Sequence, residues 1–308
     1  MSSPIVSRRA LLGAALLLPV AACARTETSS APPTATAAAK TTTTAVAAEA
    51  DHPRLVELER QFDARLGVFA LATGTGATIV HRADESFAFC STFKALATAA
   101  VLQRNPLSHL DTVVTYTEAD LMKSSFITRD HVATGMTLRD LCDAAVRYSD
   151  GTAGNLLVRD LGGPERLTEY TRTLGDSVTR MDRVEPLITE ATPGDPRDTT
   201  TPRALGANFQ KLVLGDALPE DKRAFLRDLL ERSLTGAQRI RAGLPQDWTV
   251  ANKTGTGDYG TLNDIAITWP PASAPLVIAI MSSKTTKDAP YDQALLARTA
   301  EYIAATLV

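Results

Sequence analysis

One serine and one lysine, three positions apart, have the spacing that nucleophilic catalysis requires. Ser91 comes just before the helix-forming stretch from Phe93 to Gln103, and Lys94 lies on its first turn. At a helix start, backbone N–H groups and the helix dipole favour the oxyanion that forms when serine attacks an amide carbonyl. Lys94 would take the serine proton, provided that burial and neighbouring cations lower its pKa. Alone the pair is a weak indication, because a helix start with a solvated lysine has the same spacing.

A second serine and a second lysine would supply the proton that a leaving nitrogen needs. Ser149 follows a predicted helix, and its hydroxyl can deliver a proton. Lys253 is the cation that we expect beside it, holding the Ser149 hydroxyl and a substrate carboxylate in one electrostatic field. Its charge would also help to lower the pKa of Lys94.

The strand predicted after Lys253 offers an edge for a substrate. It continues through Thr254 and Gly255, whose small size permits close approach. An amide side chain of a substrate would lie along this edge. The backbone N–H of Thr256 would then complete an oxyanion hole with that of Ser91. We therefore assign Thr254, Gly255 and Thr256 to substrate binding.

The order of these motifs is more informative than any one of them. Along the chain they are Ser91-Thr92-Phe93-Lys94, Ser149-Asp150-Gly151 and Lys253-Thr254-Gly255. The series resembles the Ser-x-x-Lys, Ser-Asp-Asn and Lys-Thr-Gly motifs that class A β-lactamases share with penicillin-binding proteins.

A fourth stretch separates these two groups of enzymes. Residues from Asp182 through Glu185-Pro186 to Asp198 look like the Ω-loop of class A β-lactamases, which penicillin-binding proteins lack. The resemblance implies that Glu185 activates the water that hydrolyses an acyl-enzyme. It also implies that the Glu185–Pro186 bond is cis and that Arg183 pairs with Asp198 to close the loop. The alternative is that Glu185 is a solvated loop acid.

The segment from Asp51 to Val308 as a whole resembles class A β-lactamases, which implies their activity. Such an enzyme opens the β-lactam ring of penicillins and cephalosporins through an acyl-enzyme on Ser91, needs no cofactor and confers antibiotic resistance. Its partner is a small-molecule β-lactam, and we expect a monomer. Two alternatives use the same serine chemistry: a penicillin-binding D,D-peptidase and a β-lactam sensor, both of which are acylated without turning over.

Arg239 is the candidate for recognising the substrate carboxylate. Many class A enzymes carry the corresponding arginine at the position of Leu262, on the strand after Lys-Thr-Gly, whereas others carry it where Arg239 stands. A guanidinium forms bidentate contacts with a carboxylate. The alternative for Arg239 is a surface salt bridge.

The chain departs from the class A pattern at two positions. Gly151 stands where the family usually has asparagine, which removes a polar contact to the substrate and adds room, so we expect an altered preference among β-lactams. Thr189 also replaces an asparagine, and its hydroxyl has fewer hydrogen-bonding groups with which to hold the water beside Glu185. Deacylation is therefore expected to be slower, or the water to be held differently.

Periodicity predicts strands at both ends of the folded segment and helices between them. The strands cover 68–72, 78–82, 249–255, 261–269 and 276–282, and the helices begin near 53, 93, 138, 153, 164, 202, 219 and 291. Proline is predicted at the first helical position of three helices (Pro164, Pro202 and Pro219).

This order of elements predicts an α/β domain from residues 51–86 and 232–308, with an all-helical domain, 87–231, inserted into it. The inserted part includes the Ω-loop at 180–200. The resemblance implies the β-lactamase/D,D-peptidase-like fold, α/β plus all-α, with an antiparallel sheet flanked by helices.

The first 50 residues have the pattern of an export signal followed by a tether. Residues 1–22, with Arg8-Arg9 before an apolar run, are similar to a twin-arginine signal peptide. The segment that ends at Cys23 is similar to a lipoprotein cleavage box, with ordinary signal-peptidase cleavage as the alternative. Residues 23–50, rich in Ala and Thr, are predicted to be a disordered tether. We expect an exported, cell-envelope or extracellular enzyme whose membrane contact is a lipid on Cys23.

The composition argues against two other function classes. A formal charge of −3, with no run of Lys or Arg, gives no reason to expect a nucleic-acid partner. The four histidines lack zinc-type spacing, so we expect no metal. Cys90 and Cys142 are predicted to be buried free thiols rather than a disulfide.

Overall fold

The structure, a computed structural model, describes residues 52–308. The predicted signal peptide, the tether and Cys23 lie outside the described residues. Within 52–308, no helix is both long and apolar enough to cross a membrane.

Long strands occupy both ends of the described chain, and short strands and most helices lie between them. The strands are β1 Arg65–Ala72, β2 Thr78–His81, β3 Phe87–Ala88, β4 Val113–Val114, β5 Met136–Thr137, β6 Thr199–Thr200, β7 Thr249–Thr256, β8 Leu262–Trp269 and β9 Leu276–Ser283. The helices are α1 Pro53–Phe62, α2 Phe93–Arg104, α3 Leu138–Arg147, α4 Gly151–Leu161, α5 Pro164–Thr173, α6 Pro202–Val213, α7 Glu220–Glu231 and α8 Ala294–Leu307.

The five long strands form one antiparallel sheet in the order β2-β1-β9-β8-β7. Because β9 pairs with β1, strands from the two ends of the chain are neighbours. The last strand in the order, β7, carries Lys253 opposite Ile265 of β8. The predicted substrate edge therefore lies at one side of the sheet.

Both faces of the sheet are covered, which explains why β9 is a continuous apolar run rather than an alternating one. Leu276, Ile278 and Ile280 belong to the apolar cluster that contains residues of α1 and α8. Val277 and Ala279 point to the opposite face, into the larger cluster formed with the remaining helices.

Helix α2 lies in the middle of the helical part, and every residue from Phe93 to Leu102 is buried. A helix that is apolar on all sides is stable only when other elements surround it. Two residues of this stretch depart from its apolar composition, Thr98 and Lys94, and Lys94, fully buried in the first turn, is the charged one. The fold thus fixes this lysine from every direction.

The five predicted strands, the eight helices and the antiparallel sheet are confirmed, with corrections at their starts. β1 begins at Arg65 rather than at 68, and α4 begins at Gly151 rather than at 153. Pro219 is not the first residue of α7 but precedes it, because its extended backbone (ψ 153°) lies outside the helix. The last helix begins at Ala294 rather than near Tyr291, since the Asp292 carboxylate accepts the Ala294 backbone N–H in a preceding turn. The division into an α/β and an all-helical domain stays a prediction.

The turn after Arg239 packs directly on α8. It is a 3-10 segment, Ile240–Gly243, and a Cβ on Gly243 would lie 1.9 Å from the backbone oxygen of Ala297. Both atoms belong to rigid backbone, so only glycine fits here. This contact helps to fix the segment that carries Arg239.

We expect Gly243→Ala to lower the free energy of unfolding by about 1–3 kcal/mol, because the added methyl group overpacks the contact with α8. Urea denaturation followed by circular dichroism measures the change. Ser273→Ala, in an exposed turn, is the control and should change the value by less than about 0.5 kcal/mol. Equal stability of the Gly243 variant and the wild type would contradict the proposed backbone contact.

Candidate active site

Ser91 lies on a tight turn that leads into α2. The turn is a 3-10 segment, Cys90–Thr92, in which Cys90 has a φ of 48°. Left-handed backbone is costly for a residue with a side chain and is concentrated at functional sites. The Ser91 hydroxyl accepts a hydrogen bond from Lys94 Nζ at 2.9 Å and donates one to Glu185 Oε1 at 3.1 Å. The predicted serine therefore lies between a lysine and a carboxylate.

The Lys94 ammonium is the centre of this group. Besides Ser91 Oγ, its Nζ contacts the backbone oxygen of Ser149 at 2.8 Å and Glu185 Oε1 at 2.5 Å. A lysine ammonium has three N–H donors, and each of the three has an acceptor here. The buried charge is compensated by the carboxylate of Glu185.

Ser149 occupies the turn between α3 and α4 with a φ of 59°. This conformation turns the Ser149 carbonyl toward Lys94 and leaves its hydroxyl free to meet Lys253, whose Nζ lies 2.9 Å from Ser149 Oγ. The next residue, Asp150, caps α4 by accepting the backbone N–H of Ala153. The sequence prediction that Ser149 and Lys253 are neighbours is thus confirmed.

Lys253 is fully buried and also donates to the backbone oxygen of Thr254. Burial lowers the pKa of Lys253 well below its ordinary value, and the positive charges of Lys94 and Arg239 lower it further. Asp264 and Glu185 act in the opposite direction. The lysine is therefore poised to exchange a proton closer to neutral pH than a solvated lysine.

Glu185 is held at the site by its backbone. The side-chain amide of Asn155 accepts the Glu185 N–H at 3.0 Å and donates to the Glu185 carbonyl at 2.9 Å. The following bond to Pro186 is cis, as predicted. Glu185 is buried, so the alternative of a solvated loop acid is wrong.

The loop that carries Glu185 is closed by the predicted ion pair. Arg183 Nε lies 2.6 Å from Asp198 Oδ2, and a second guanidinium nitrogen reaches Glu190. Asp198 also accepts the backbone N–H groups of Asp182 and Arg183. These contacts join the two ends of the loop.

The charge state of Glu185 follows from its neighbours. Burial raises the pKa of this carboxyl, but the charge and hydrogen bond of Lys94 outweigh burial, aided by hydrogen bonds from Ser124 and Ser91. The net pKa lies below the ordinary 4.5. At neutral pH the carboxylate is therefore ionised and able to accept a proton.

Ser124 is a contact that the sequence analysis missed. Its hydroxyl donates to Glu185 Oε2 at 2.7 Å. The absence of a side chain at Gly151 makes room for this contact, since a Cβ there would lie 2.2 Å from both Glu185 Oε2 and Ser124 Oγ. Gly151 and Ser124 therefore act together on the position of the carboxylate.

Thr189 lines the same pocket, but its hydroxyl is already engaged. Its Oγ1 donates to the backbone oxygen of Pro186 at 2.7 Å. The carboxylate of Glu185 has Ser91, Lys94 and Ser124 as its side-chain partners in the described part of the chain. Thr189 thus has no remaining hydroxyl proton for a water beside Glu185.

The β7 edge packs against the turn that carries Ser91. A Cβ on Gly255 would lie 2.7 Å from the backbone oxygen of Phe89, so the approach requires glycine. Gly257, just past β7, donates its N–H to Thr261 on the β8 side. By the alternation of an antiparallel ladder, the N–H of Thr256 is directed to the open edge, on the side of Ser91.

Arg239 is buried beside this edge, and the alternative of a surface salt bridge is wrong. Its guanidinium donates to the backbone oxygens of Gly255 and Asn263 and to Thr256 Oγ1, the last at 2.8 Å. Burial lowers its pKa from the ordinary value. Leu262, at the start of β8, is buried and apolar. Arg239 is therefore the arginine that reaches the substrate edge.

Most of the predicted residues line one pocket of about 690 Å³. Lys94, Lys253 and Gly151 do not line it but contact residues that do, namely Ser91, Ser149 and Ser124. Its walls include Ser91, Ser149 and Glu185 on one side and Thr254 to Gly257 with Arg239 on the other. Aromatic side chains also line it: Phe126, Tyr148 and Tyr291. A larger groove of about 920 Å³ runs between α1 and residues 191–199, but it contains none of the serines or lysines named above. The smaller pocket is therefore the candidate active site.

Cys90 and Cys142 are free and buried, as predicted. Burial raises the pKa of each thiol to about 12, so neither is a reactive thiolate. Among residues 52–308, no group of three or more His, Cys, Asp or Glu side chains is arranged to hold a metal ion.

Comparisons with known proteins agree with this geometry. The model of the beta-lactamase enzyme family matches residues 52–307. A beta-lactamase of Mycobacterium tuberculosis is 53% identical, over 97% of both chains. Beta-lactamase AST-1 of Nocardia asteroides is 50% identical, over 94% of this chain and 93% of its own.

Solved structures give the same result. A halotolerant bacterial beta-lactamase aligns with a TM-score of 0.82 and 48% identity, over 83% of this chain and 99% of its own. A class A beta-lactamase of Clostridium kluyveri aligns with a TM-score of 0.81 and 44% identity, over 82% and 97% of the two chains.

We expect Gly151→Asn to reduce turnover of a chromogenic cephalosporin about 10- to 100-fold, because its Cβ displaces the Glu185 carboxylate and the Ser124 hydroxyl. Both are side-chain ends, so the variant should still fold. Gly151→Ala carries the same Cβ without the amide and should lose a similar factor. The asparagine variant alone should also change the ratio of kcat/KM between penicillins and cephalosporins. Wild-type rates in both variants would show that this close contact is unimportant.

Proposed function

This chain belongs to the β-lactamase enzyme family, as a class A serine enzyme that hydrolyses β-lactams, and from this we propose that Ser91 is the nucleophile and Glu185 the base that releases its ester. The observation that carries the proposal is the contact of one Glu185 oxygen with both the Ser91 hydroxyl and the Lys94 ammonium. Enzymes of this family confer antibiotic resistance.

In the acylation step, the Ser91 proton leaves toward the Lys94–Glu185 pair as the oxygen attacks the ring carbonyl. The ionised Glu185 accepts the Ser91 hydrogen bond directly, and Lys94 stabilises the oxygen from which the proton departs. The backbone N–H groups of Ser91 and Thr256 stabilise the oxyanion. Ser149 then delivers a proton to the ring nitrogen, and Lys253, hydrogen-bonded to its hydroxyl, stabilises the oxygen left behind. The proton that Glu185 accepted from Ser91 is returned to this Ser149 oxygen, so that Glu185 is ionised again before deacylation.

In the deacylation step, Glu185 removes a proton from the water that attacks the ester. The bond between the carbonyl carbon and Ser91 Oγ then breaks, and the Ser91 oxygen takes this proton back from Glu185. Its lowered pKa keeps it ionised for this role. Asn155 fixes its backbone, and Ser124 fixes the oxygen that faces away from Ser91. The carboxylate is thus preorganised for both steps, which reduces the cost of aligning it in each transition state.

Substrate recognition follows from charge and from the strand edge. The β-lactam carboxylate would meet Lys253, the Thr256 hydroxyl and Arg239, whose guanidinium is held against Thr256. Thr254 and Gly255 would lie along the amide side chain of the substrate. A penicillin-binding peptidase or sensor is not favoured, because the relatives at about 50% identity are named beta-lactamases.

We further propose that the enzyme is an exported monomer. The pattern of residues 1–22 supports a twin-arginine signal peptide, and the motif before Cys23 supports lipidation of that cysteine. Residues 23–50 would then be a disordered tether between a lipid and the enzyme. Residues 180–200 correspond to an Ω-loop, which the Arg183–Asp198 pair supports.

We expect Glu185→Ala to lower turnover of a chromogenic cephalosporin by about 10² to 10⁴-fold, because the variant lacks the general base. Lys94, which remains beside Ser91, can still take the Ser91 proton, so acylation continues in this variant. Intact-mass measurement should therefore find a covalent adduct that accumulates in the variant and clears in the wild type. Glu301→Ala, which changes an exposed carboxylate on α8, is the matched control and should behave as the wild type. A wild type that remains acylated without turnover would contradict the hydrolytic role.

Wild-type enzyme is expected to show a burst followed by slower turnover, because the Thr189 hydroxyl is bound to Pro186 and offers no donor to the water. Thr189→Asn supplies an amide and should shrink the burst and raise the steady rate. Thr189→Ser retains the hydroxyl and is the control. Stopped-flow absorbance measures both phases, and a linear wild-type trace without a burst would refute slow deacylation.

A further inference from the structure

Three buried charges beside the substrate edge form no ion pair among residues 52–308. Lys253 and Asp264 are fully buried, and Arg239 is 6% exposed. An isolated buried charge is costly unless other charges or hydrogen bonds compensate it. The two cations and the carboxylate therefore have to be considered together.

The hydrogen bonds of Asp264 connect it to both cations through their neighbours in the chain. One oxygen accepts the side-chain amide of Asn252, at 2.8 Å, and Asn252 directly precedes Lys253. The other accepts the backbone N–H of Ile240, at 3.1 Å, which directly follows Arg239. One carboxylate thus fixes the two segments that carry the cations.

The sheet register places Asp264 on the same face as the Arg239 contact with β7. Asp264 of β8 is opposite Thr254 of β7, and Thr256, two residues further on, shares the same face of the sheet. The Arg239 guanidinium bonds to Thr256 on that face. Lys253 lies between Asn252 and Thr254 and points to the other face. Asp264 therefore lies on the face that carries the Arg239 contact, and its link to Lys253, on the other face, runs through Asn252.

We propose that Asp264 is a positioning residue, a buried counterion that aligns the segments of Lys253 and Arg239 and keeps Lys253 charged for the substrate carboxylate. The inference rests on the proposed roles of these two cations in substrate binding.

The direction of the pH effect follows from the surrounding charges. The charges that act on Lys253 are those of Lys94 on α2, Glu185 of the loop, Arg239 and Asp264. Burial, Lys94 and Arg239 lower the pKa of Lys253, and Asp264 opposes them.

Asp264 itself is surrounded mainly by cations. It faces Arg239 and Arg241, yet burial raises the pKa of its carboxyl to about 6. Above that pH Asp264 is ionised and supports the charge of Lys253. Removing its charge would lower the pKa of Lys253 further.

The test is the pH profile of kcat/KM for a cephalosporin with a free carboxylate, measured with full-length Asp264→Asn. The alkaline limb, the fall of kcat/KM at high pH as Lys253 loses its proton, should move to lower pH by about one unit. At pH values above this limb, kcat/KM of the variant should therefore be about tenfold below that of the wild type. At pH values below the alkaline limb of both proteins, the rates should agree within about twofold. A uniform loss at every pH, or an unmoved limb, would overturn the proposal.

The double variant Asn252→Asp/Asp264→Asn exchanges the carboxylate and the amide across the same hydrogen bond. Arg241 already donates to the side-chain oxygen of Asn252, so the exchanged carboxylate stays within this hydrogen-bond network. The alkaline limb should return to its wild-type position. This double variant also tests the counterion role if Asp264→Asn does not fold. An alkaline limb displaced from its wild-type pH in the folded double variant would refute that role.

Failure of this inference is distinguishable from failure of the proposed function. Turnover by the wild type tests the proposed hydrolysis of β-lactams. The pH of the alkaline limb tests the proposed counterion role of Asp264. If the wild type were acylated without turnover, the same limb would be measured on the acylation rate by intact mass.

Discussion

The site depends on one buried ammonium and the carboxylate that compensates it. Lys94 joins the nucleophile's turn, the Ser149 turn and the Glu185 loop through three hydrogen bonds. A lysine at the core of an apolar helix is tolerable only because Glu185 offsets its charge. In return, Lys94 keeps the carboxylate ionised despite its burial. Each group therefore sets the condition under which the other can act.

Much of this arrangement is local and could be predicted from the sequence. The Ser91–Lys94 pair needs only a helical turn, and the strands and helices follow from apolar periodicity and from local caps such as Thr137 at the start of α3. The cis bond at Glu185 and the Arg183–Asp198 pair came from family resemblance rather than from spacing, because no local rule brings Glu185 to Ser91.

The contacts that sequence analysis missed are long-range and polar. Ser124 lies in an irregular segment with no motif, and its contact with Glu185 exists only after two loops and the α4 start have come together. Asn155 lies one helical turn after Gly151 and is half-buried, so helical periodicity predicts that it shares a face of α4 with Gly151. Its hydrogen bonds with the backbone of Glu185 could not be predicted in this way. The start of α8 was also misplaced, because Asp292 belongs to a separate turn, closed by the hydrogen bond of its carboxylate with the Ala294 N–H, which periodicity had merged into the helix.

The complete burial of α2 has a consequence for how such an enzyme can diversify. Residues Phe93 to Leu102 have no solvent-facing position, so a change of size in this helix acts on packing before it acts on chemistry. The aromatic residues that line the pocket differ from α2 in their exposure, since Phe126 is 55% exposed and Tyr291 is 48% exposed. New antibiotic specificities are therefore least costly to acquire at the mouth of the pocket, while the helix behind the nucleophile remains closed to adaptive variation.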